Sequence, residues 1–250
     1  MPGVTRQVPD RAGRRASEGL AALPRAGSGK HRERVDRRAR VGAPRLPPEL
    51  VDGRSRRVVV LSHCLLNQNT RYPGGAACPG AVPAALQPYL DEGAGLVQMP
   101  CPEQRSWGGV RRPPMLWALA HRRATAVAPL VLPALERYLR WRYARLARTV
   151  AHDLADAAGA GVEVVAVVGV AGSPSCGVRT TMDLGVAARR VGRSTHDLTR
   201  AWLTDEVVAA AERPGQGLFT TALQAQLGRR HLDVPFTEHR LPGPDDPGTR

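Results

Sequence analysis

A chain of 250 residues, 42 % of them apolar, can bury one sizeable α/β core, but aromatics are only 4 %, so that core must rest on Val, Leu and Ala. No run of about 18 apolar residues occurs, which excludes a transmembrane helix, and the charged N-terminus lacks the apolar stretch of a secretory leader. Four cysteines are too few for a disulfide scaffold, and the net charge of +14 is concentrated at one end, so the expectation is a cytoplasmic protein with reduced thiols and a basic appendage.

The appendage is residues 1–56, expected to be a disordered, solvated arm. Residues 1–57 hold 15 of the 36 basic residues and 6 of the 22 acidic ones, a net of +9. Lys30 is the only lysine, a skew that base composition of coding DNA produces as readily as selection for phosphate contacts. The arm has no interleaved aromatics to stack bases, so nonspecific nucleic-acid contact is at most a secondary role for it. Gly27-Ser28-Gly29-Lys30 resembles half a phosphate loop, but Pro24 stands where the first Gly is needed and His31 where Ser or Thr is needed.

Past residue 57 the composition changes. The β-branched run from Arg57 to Ser62 predicts a buried strand. A Gly/Pro/Asn-rich loop over Asn67 to Pro83 follows, then a short helix from Pro83 to Asp91 that breaks at Gly93. Leu96 to Met99 predicts a second strand and Cys101 to Pro114 another loop. The strongest helix is Ala134 to Ala158. Its apolar residues Leu135, Leu139, Tyr143, Leu146, Val150, Leu154 and Ala157 recur every three or four positions on one face. Gly159 and Gly161 end it. Val162 to Val170 is a near-continuous apolar run, as in a central parallel strand. Thr195 is expected to cap a helix toward Trp202. Further helices are predicted from Asp205 to Arg213 and from Phe219 to Leu227, and 241–250 is expected to be a frayed tail. Strands alternating with helices predict, over 57–240, a single α/β domain with an open, mostly parallel, Rossmann-like sheet and flanking helices.

In such sheets ligands bind beyond the carboxyl ends of the strands. Cys64, Cys101 and Cys176 each follow a predicted strand, so three thiols distant in sequence are expected at one edge. Soft thiolates favour iron–sulfur clusters, zinc or copper(I). Buried free cysteines are also ordinary packing residues, and both readings stay open on spacing alone. Cys78 lies in a loop and reads as a fourth ligand, a redox bystander or a packing residue.

Three strings, LSHCLLNQNTRYPGG (61–75), MPCPEQ (99–104) and GVAGSPSCGV (169–178), together resemble the thiouracil desulfurase family. Gly215-Gln216-Gly217-Leu218-Phe219, followed by Leu223, is similar to that family's Gly-x-Gly-x-Phe segment. The resemblance spans roughly 57–230 and leaves the basic arm outside. It implies a [4Fe-4S] cluster held by Cys64, Cys101 and Cys176, with the fourth iron open to substrate. The implied reaction is hydrolytic and without net redox: sulfur leaves a thiocarbonyl of a small thiolated substrate as sulfide. Carried over by motif, Glu103 is the general acid/base, Ser173 orients substrate or water, and Arg71 neutralises the cluster or holds substrate. Glu103 could equally be a helix-start carboxylate paired with Arg112, and Ser173 a turn residue before Pro174.

The chain departs from the family pattern at Thr70, where a cysteine is often found, and at Asn67, where Gly is common. Asn67 and Arg112 border the expected pocket, so the substrate need not be thiouracil. Two other classes remain on sequence: an iron–sulfur redox sensor whose arm touches nucleic acid, favoured if Cys78 closes the fourth iron, and a cluster-free hydrolase using Cys176 with His63 as base.

Overall fold

In the computed structural model of the protein the described residues are 52–72, 74–110, 122–193 and 202–243. All of the predicted disordered arm but residues 52–56, the Thr195 cap and most of the frayed tail lie outside them.

Four strands make the main sheet among these residues: β1 (Arg57–Ser62), β2 (Gly95–Met99), β3 (Glu163–Val170) and β6 (Phe236–His239), in the order β2-β1-β3-β6. Every pairing in it is parallel. Strand alternation divides its side chains between two cores. Val59, Leu61, Ala166, Val168 and Val170 face α2 (Pro83–Asp91), where Ala85, Leu86 and Tyr89 cover them. Val60, Met99 and Val167 face the opposite way, onto α4 (Arg122–Gly159) and α6 (Leu218–Gly228). The fold is thus α/β, an open parallel sheet between helical layers, as the alternating pattern predicts.

The predicted face of α4 is the buried one: Leu139, Tyr143, Val150 and Leu154 are all in the core, and Ala147 and Ala151 fill the positions between them. Tyr143 meets Phe219 of α6 edge-on, with ring centroids 6.3 Å apart. Aromatic scarcity is thus met by alanine-lined close packing with a single T-shaped pair at its centre.

Several elements differ from expectation. α4 is 38 residues long and starts well before Ala134, running through Pro129 and Pro133. The expected loop after Cys101 opens as a short helix, α3 (Pro102–Trp107), because Pro102 occupies its first turn, where a missing N–H costs nothing. His63–Leu66 is a one-turn helix, α1, directly off β1. The helix expected over Asp205 to Arg213 is a π turn, Leu203–Val208, followed by one α turn, Ala209–Ala211, and then β5 (Glu212–Pro214). β5 pairs antiparallel with β4 (Thr180–Met182), and α5 (Leu184–Arg193) follows β4.

Candidate active site at the carboxyl edge of the sheet

Because β2, β1 and β3 are neighbours and parallel, their carboxyl ends lie side by side; Ser62 is in register with Met99, and Leu61 with Val168. The chain leaves each end through a cysteine-bearing segment. Cys64 is in α1. Cys101 caps α3, its Sγ accepting the Gln104 backbone N–H at 3.4 Å. Cys176 is buried in the loop after β3. Burial pushes the Cys176 thiol well above its ordinary range, and negative charge at Cys101 and Cys64 pushes it further. Among the described residues no three His, Cys, Asp or Glu side chains are grouped closely enough to hold a metal ion. Cys78 packs against the α2-side core and donates its S–H to the Ala81 carbonyl at 3.3 Å.

One carboxylate, a serine pair and one arginine lie beside the sulfurs. Ser175, 2 % exposed, donates its hydroxyl to Glu103 Oε1 at 2.9 Å. The same oxygen is 3.6 Å from Cys176 Sγ, but a hydroxyl has one proton, and the shorter bond to a carboxylate wins it. Ser173 Oγ lies 3.2 Å from Ser175 Oγ and accepts the backbone N–H of Cys176 at 3.0 Å. With Ser175 donating to Glu103, Ser173 must be the donor to Ser175, which orders a relay Ser173–Ser175–Glu103. Arg71 donates through Nη1 to Cys64 Sγ at 3.9 Å and lies over the Tyr72 ring, 5.5 Å from its centroid. Burial alone would pull the Arg71 guanidinium down; charge at Cys64, Tyr72 and Glu103 outweighs it and holds the group above its ordinary value. Gly75, at the end of the LSHCLLNQNTRYPGG string, lies under the Tyr72 ring, where an added Cβ would come within 2.7 Å of it.

Of the other expected site residues, Asn67 is exposed and its side chain accepts from Asn69 N at 3.1 Å, capping the turn Gln68–Thr70. Arg112 lies outside the described residues. His63 contacts the side chain of Gln98. Four residues the sequence reading did not single out take part. Ser175 stands between Glu103 and Cys176. Tyr143 is held strongly protonated, first by burial and then by charge at Glu103, Cys176 and Cys101, which puts it at the same site. Buried Gln68 joins α1 to the next loop, donating to the Cys64 carbonyl and accepting from Ala77 N at 2.8 Å. Glu238 holds the chain just past Cys176. Ser175 and Gln68 lie inside the quoted strings and Tyr143 on the predicted helix face, whereas Glu238 carried no sequence signal.

Glu238 sits on β6, in register with Gly169, and its side chain is 5 % exposed. Its Oε2 accepts the backbone N–H groups of Val178 (2.9 Å), Arg179 (2.8 Å) and Thr180 (3.2 Å). Burial would push this carboxyl up; the amide hydrogen bonds, with the Arg179 guanidinium, overcome it and hold the group below its ordinary value. A depressed carboxyl stabilises the fold above its unfolded value and loses that contribution as pH falls through its folded one. Glu238→Gln should therefore cost about 2 kcal/mol at neutral pH. Thermal unfolding should show a midpoint about 4–8 °C lower at pH 7, converging on the parent below about pH 4. A parallel offset at all pH values would mean that the charge contributes nothing.

On the other side the loop is held by α6. Its first N–H groups, orphaned in any helix, donate to the loop carbonyls: Leu218 N to Pro174 O, and Phe219 N and Thr220 N to Ser175 O, each at 3.1 Å. Gly217 N donates to Gly177 O at 3.0 Å. The Gly-x-Gly-x-Phe segment is thus the seat of the Cys176 loop, and Phe219 anchors it in the core.

No curated protein and no solved structure matches the chain. The model of the 2-thiouracil desulfurase family matches residues 59–232, which takes in β1, the three cysteine segments, the serine relay and the α6 seat. The chain therefore belongs to the 2-thiouracil desulfurase family.

Proposed function

We propose that this member of the family is a [4Fe-4S]-dependent desulfurase that hydrolyses the thiocarbonyl of a small thiolated molecule, a modified base or a related compound, and releases sulfide. The observation that supports the reading is that Cys64, Cys101 and Cys176 follow the carboxyl ends of three adjacent parallel strands, with Glu103, two residues past Cys101, accepting the hydroxyl of Ser175 at 2.9 Å beside Cys176. The residues fit the group. A polynuclear cluster gives each thiolate its own iron. The donors are soft sulfur, as iron–sulfur chemistry prefers, and Arg71 offsets the negative charge that three thiolates and a cluster bring. Cys78, engaged with Ala81 O, stays outside the ligand set.

Such a cluster, bound by three cysteines, supplies an iron without a protein ligand, a Lewis acid for the thiocarbonyl sulfur. The remaining work falls to side chains. Glu103 takes a proton from the attacking water, whose oxygen forms the new carbon–oxygen bond as the carbon–sulfur bond breaks. The same carboxyl returns that proton to the departing sulfur, which leaves as hydrosulfide, and the remaining hydroxyl proton passes to solvent as the carbonyl forms, so carbon exchanges sulfur for oxygen and no electrons are transferred. Ser175, backed by Ser173, holds the carboxylate in place. Tyr143, kept neutral, presents an O–H rather than a phenolate to this anionic site.

The test is anaerobic reconstitution of the full chain with iron and sulfide, read by visible absorption, EPR and sulfide release from thiolated bases, thioamides and thioureas. Cys64→Ser, Cys101→Ser and Cys176→Ser should each abolish sulfide release and lose most of the bound iron, while Cys78→Ser should match the parent. Iron content unchanged in any of the first three, or lost in the fourth, would overturn the ligand assignment.

A further inference from the structure

One side of α4 is spent on packing; the opposite side is exposed. Counted round the helix at about 100° per residue, Trp141 stands diametrically across from the core residue Val150, with Arg137, Tyr138, Arg145 and Arg148 flanking it. All five of these outer residues are exposed. A large apolar side chain left in water is more informative than one buried. Among the described residues six such side chains are exposed; three of them, Val131, Tyr138 and Trp141, are on α4, and Trp141 is the most exposed at 52 %. The chain has only four Trp, four Tyr and two Phe, yet it sets two of them side by side outside its core. The Tyr138 and Trp141 rings have centroids 6.3 Å apart, and the Arg145 guanidinium lies over the Trp141 ring, 5.3 Å from its centroid. That stacking fixes the indole in place and brings positive charge to its face.

The charge around the rings is of one sign. From Val131 to Ala151 the sequence carries five arginines and one carboxylate. Arg140 takes that carboxylate, Glu136, at 2.6 Å, and Arg142 turns toward α3 and donates to the Arg105 carbonyl. Arg137, Arg145 and Arg148 are left without a carboxylate partner among the described residues. A second copy is a poor occupant, because two such faces would set arginine against arginine. An anionic membrane surface takes up the apolar face of a helix, and that face of α4 is already inside the core. An unpaired nucleic-acid strand offers both groups the stripe asks for: phosphates for the arginines and open base faces for the rings. A duplex supplies the phosphates but hides the base faces.

We infer that the outer face of α4 binds single-stranded nucleic acid, with Trp141 and Tyr138 stacking on bases and Arg137, Arg145 and Arg148 contacting phosphates. Arg137 to Arg148 spans about 16 Å along the helix, room for a few nucleotides. The surface uses neither the cysteines nor Glu103, so it stands independently of the desulfurase reading. Unlike residues 1–57, it has aromatic rings among its charges.

The experiment measures binding of the full chain to a labelled oligodeoxythymidylate of about 15 nucleotides by fluorescence anisotropy at several salt concentrations, beside a duplex of the same length and vesicles rich in phosphatidylserine. The parent should bind the single strand more tightly than the duplex or the vesicles. Trp141→Ala should weaken binding about tenfold with the salt slope unchanged, and Trp141→Phe, which keeps a ring, should restore most of the loss. The double variant Arg137→Gln, Arg148→Gln should weaken binding about tenfold or more near 0.1 M salt and reduce the salt slope by about 1.4. All of these variants should unfold at the parent midpoint, because the side chains are exposed. Variants that bind as tightly as the parent would overturn the inference and hand the binding to residues 1–57. So would a parent that ignores the oligonucleotide or prefers the vesicles, and so would a lowered unfolding midpoint that accounts for the lost binding.

Discussion

Glu103→Gln is expected to lower kcat for sulfide release by about 10²–10⁴-fold while leaving KM, iron content and the unfolding midpoint close to those of the parent. Gln keeps the shape of Glu and an oxygen that can still accept the Ser175 hydroxyl, so the 2.9 Å contact survives. What it loses is the ability to take and return a proton. The two serines separate positioning from folding. Ser175→Ala removes the hydroxyl that donates to Glu103 Oε1 and should cost about tenfold in kcat, the equivalent of one lost hydrogen bond of about 1.4 kcal/mol. Ser173 accepts the backbone N–H groups of both Ser175 and Cys176, at 3.3 and 3.0 Å, so it shapes the turn that carries the cysteine. Ser173→Ala should lower iron retention and the unfolding midpoint as well as turnover. Steady-state kinetics of the anaerobically loaded variants, with iron determined on the same samples, decide it. A Glu103→Gln enzyme keeping more than about a tenth of parental kcat would remove the carboxylate from the proton transfer.

Where burial alone shapes an element, residue pattern was enough to find it. β1 and β3 are runs of Val buried on both faces, and α4 from Ala134 onward shows its core face at every third or fourth position. The cysteines were legible for the same reason: each follows a strand, and parallel topology turns a sequence rule into a shared edge. Elements failed to show where local rules compete with tertiary contacts. Pro129 and Pro133 argue against a helix, yet α4 runs through both. β4, β5 and β6 are three or four residues long and carry Thr, Arg, Glu and His. No alternation is detectable in so short a stretch; they exist because β4 and β5 pair with each other, and β6 adds to β3.

The same division holds at the site. Glu103 and Ser173 are the residues the motif singles out, but the structure gives the contact with Glu103 to Ser175, and which of two serines turns toward a carboxylate 72 residues away is decided by loop geometry. Glu238 had no signal at all. It is separated by about 60 residues from the amides it binds, and only the position of β6 beside β3 brings them together.

Gly217→Ala is expected to be strongly damaging for a change of a single methyl group. The residue has φ −66° and ψ 150°, a backbone conformation open to any amino acid, so the requirement for glycine is not conformational. It is spatial: a Cβ at 217 would lie 2.3 Å from Ser175 O and 2.9 Å from Cys176 N. These are backbone atoms, and the loop cannot retreat. Glu238 holds it from beyond Cys176, and the α6 amides hold it through Pro174 O and Ser175 O. Relief must come by shifting α6, and Phe219 with it, out of the core, or by moving Cys176. The expected cost is about 3 kcal/mol, or a midpoint lower by roughly 6–12 °C for a domain of this size, together with loss of iron uptake because the third thiol leaves its place. Gly228→Ala supplies the control. That glycine ends the same helix with no heavy atom within 4 Å of an added Cβ, so Ala there should be neutral or stabilising by up to about 1 kcal/mol. Unfolding midpoints and iron content of the two variants side by side settle the point: if Gly217→Ala behaves like Gly228→Ala, α6 is not the seat of the cysteine loop.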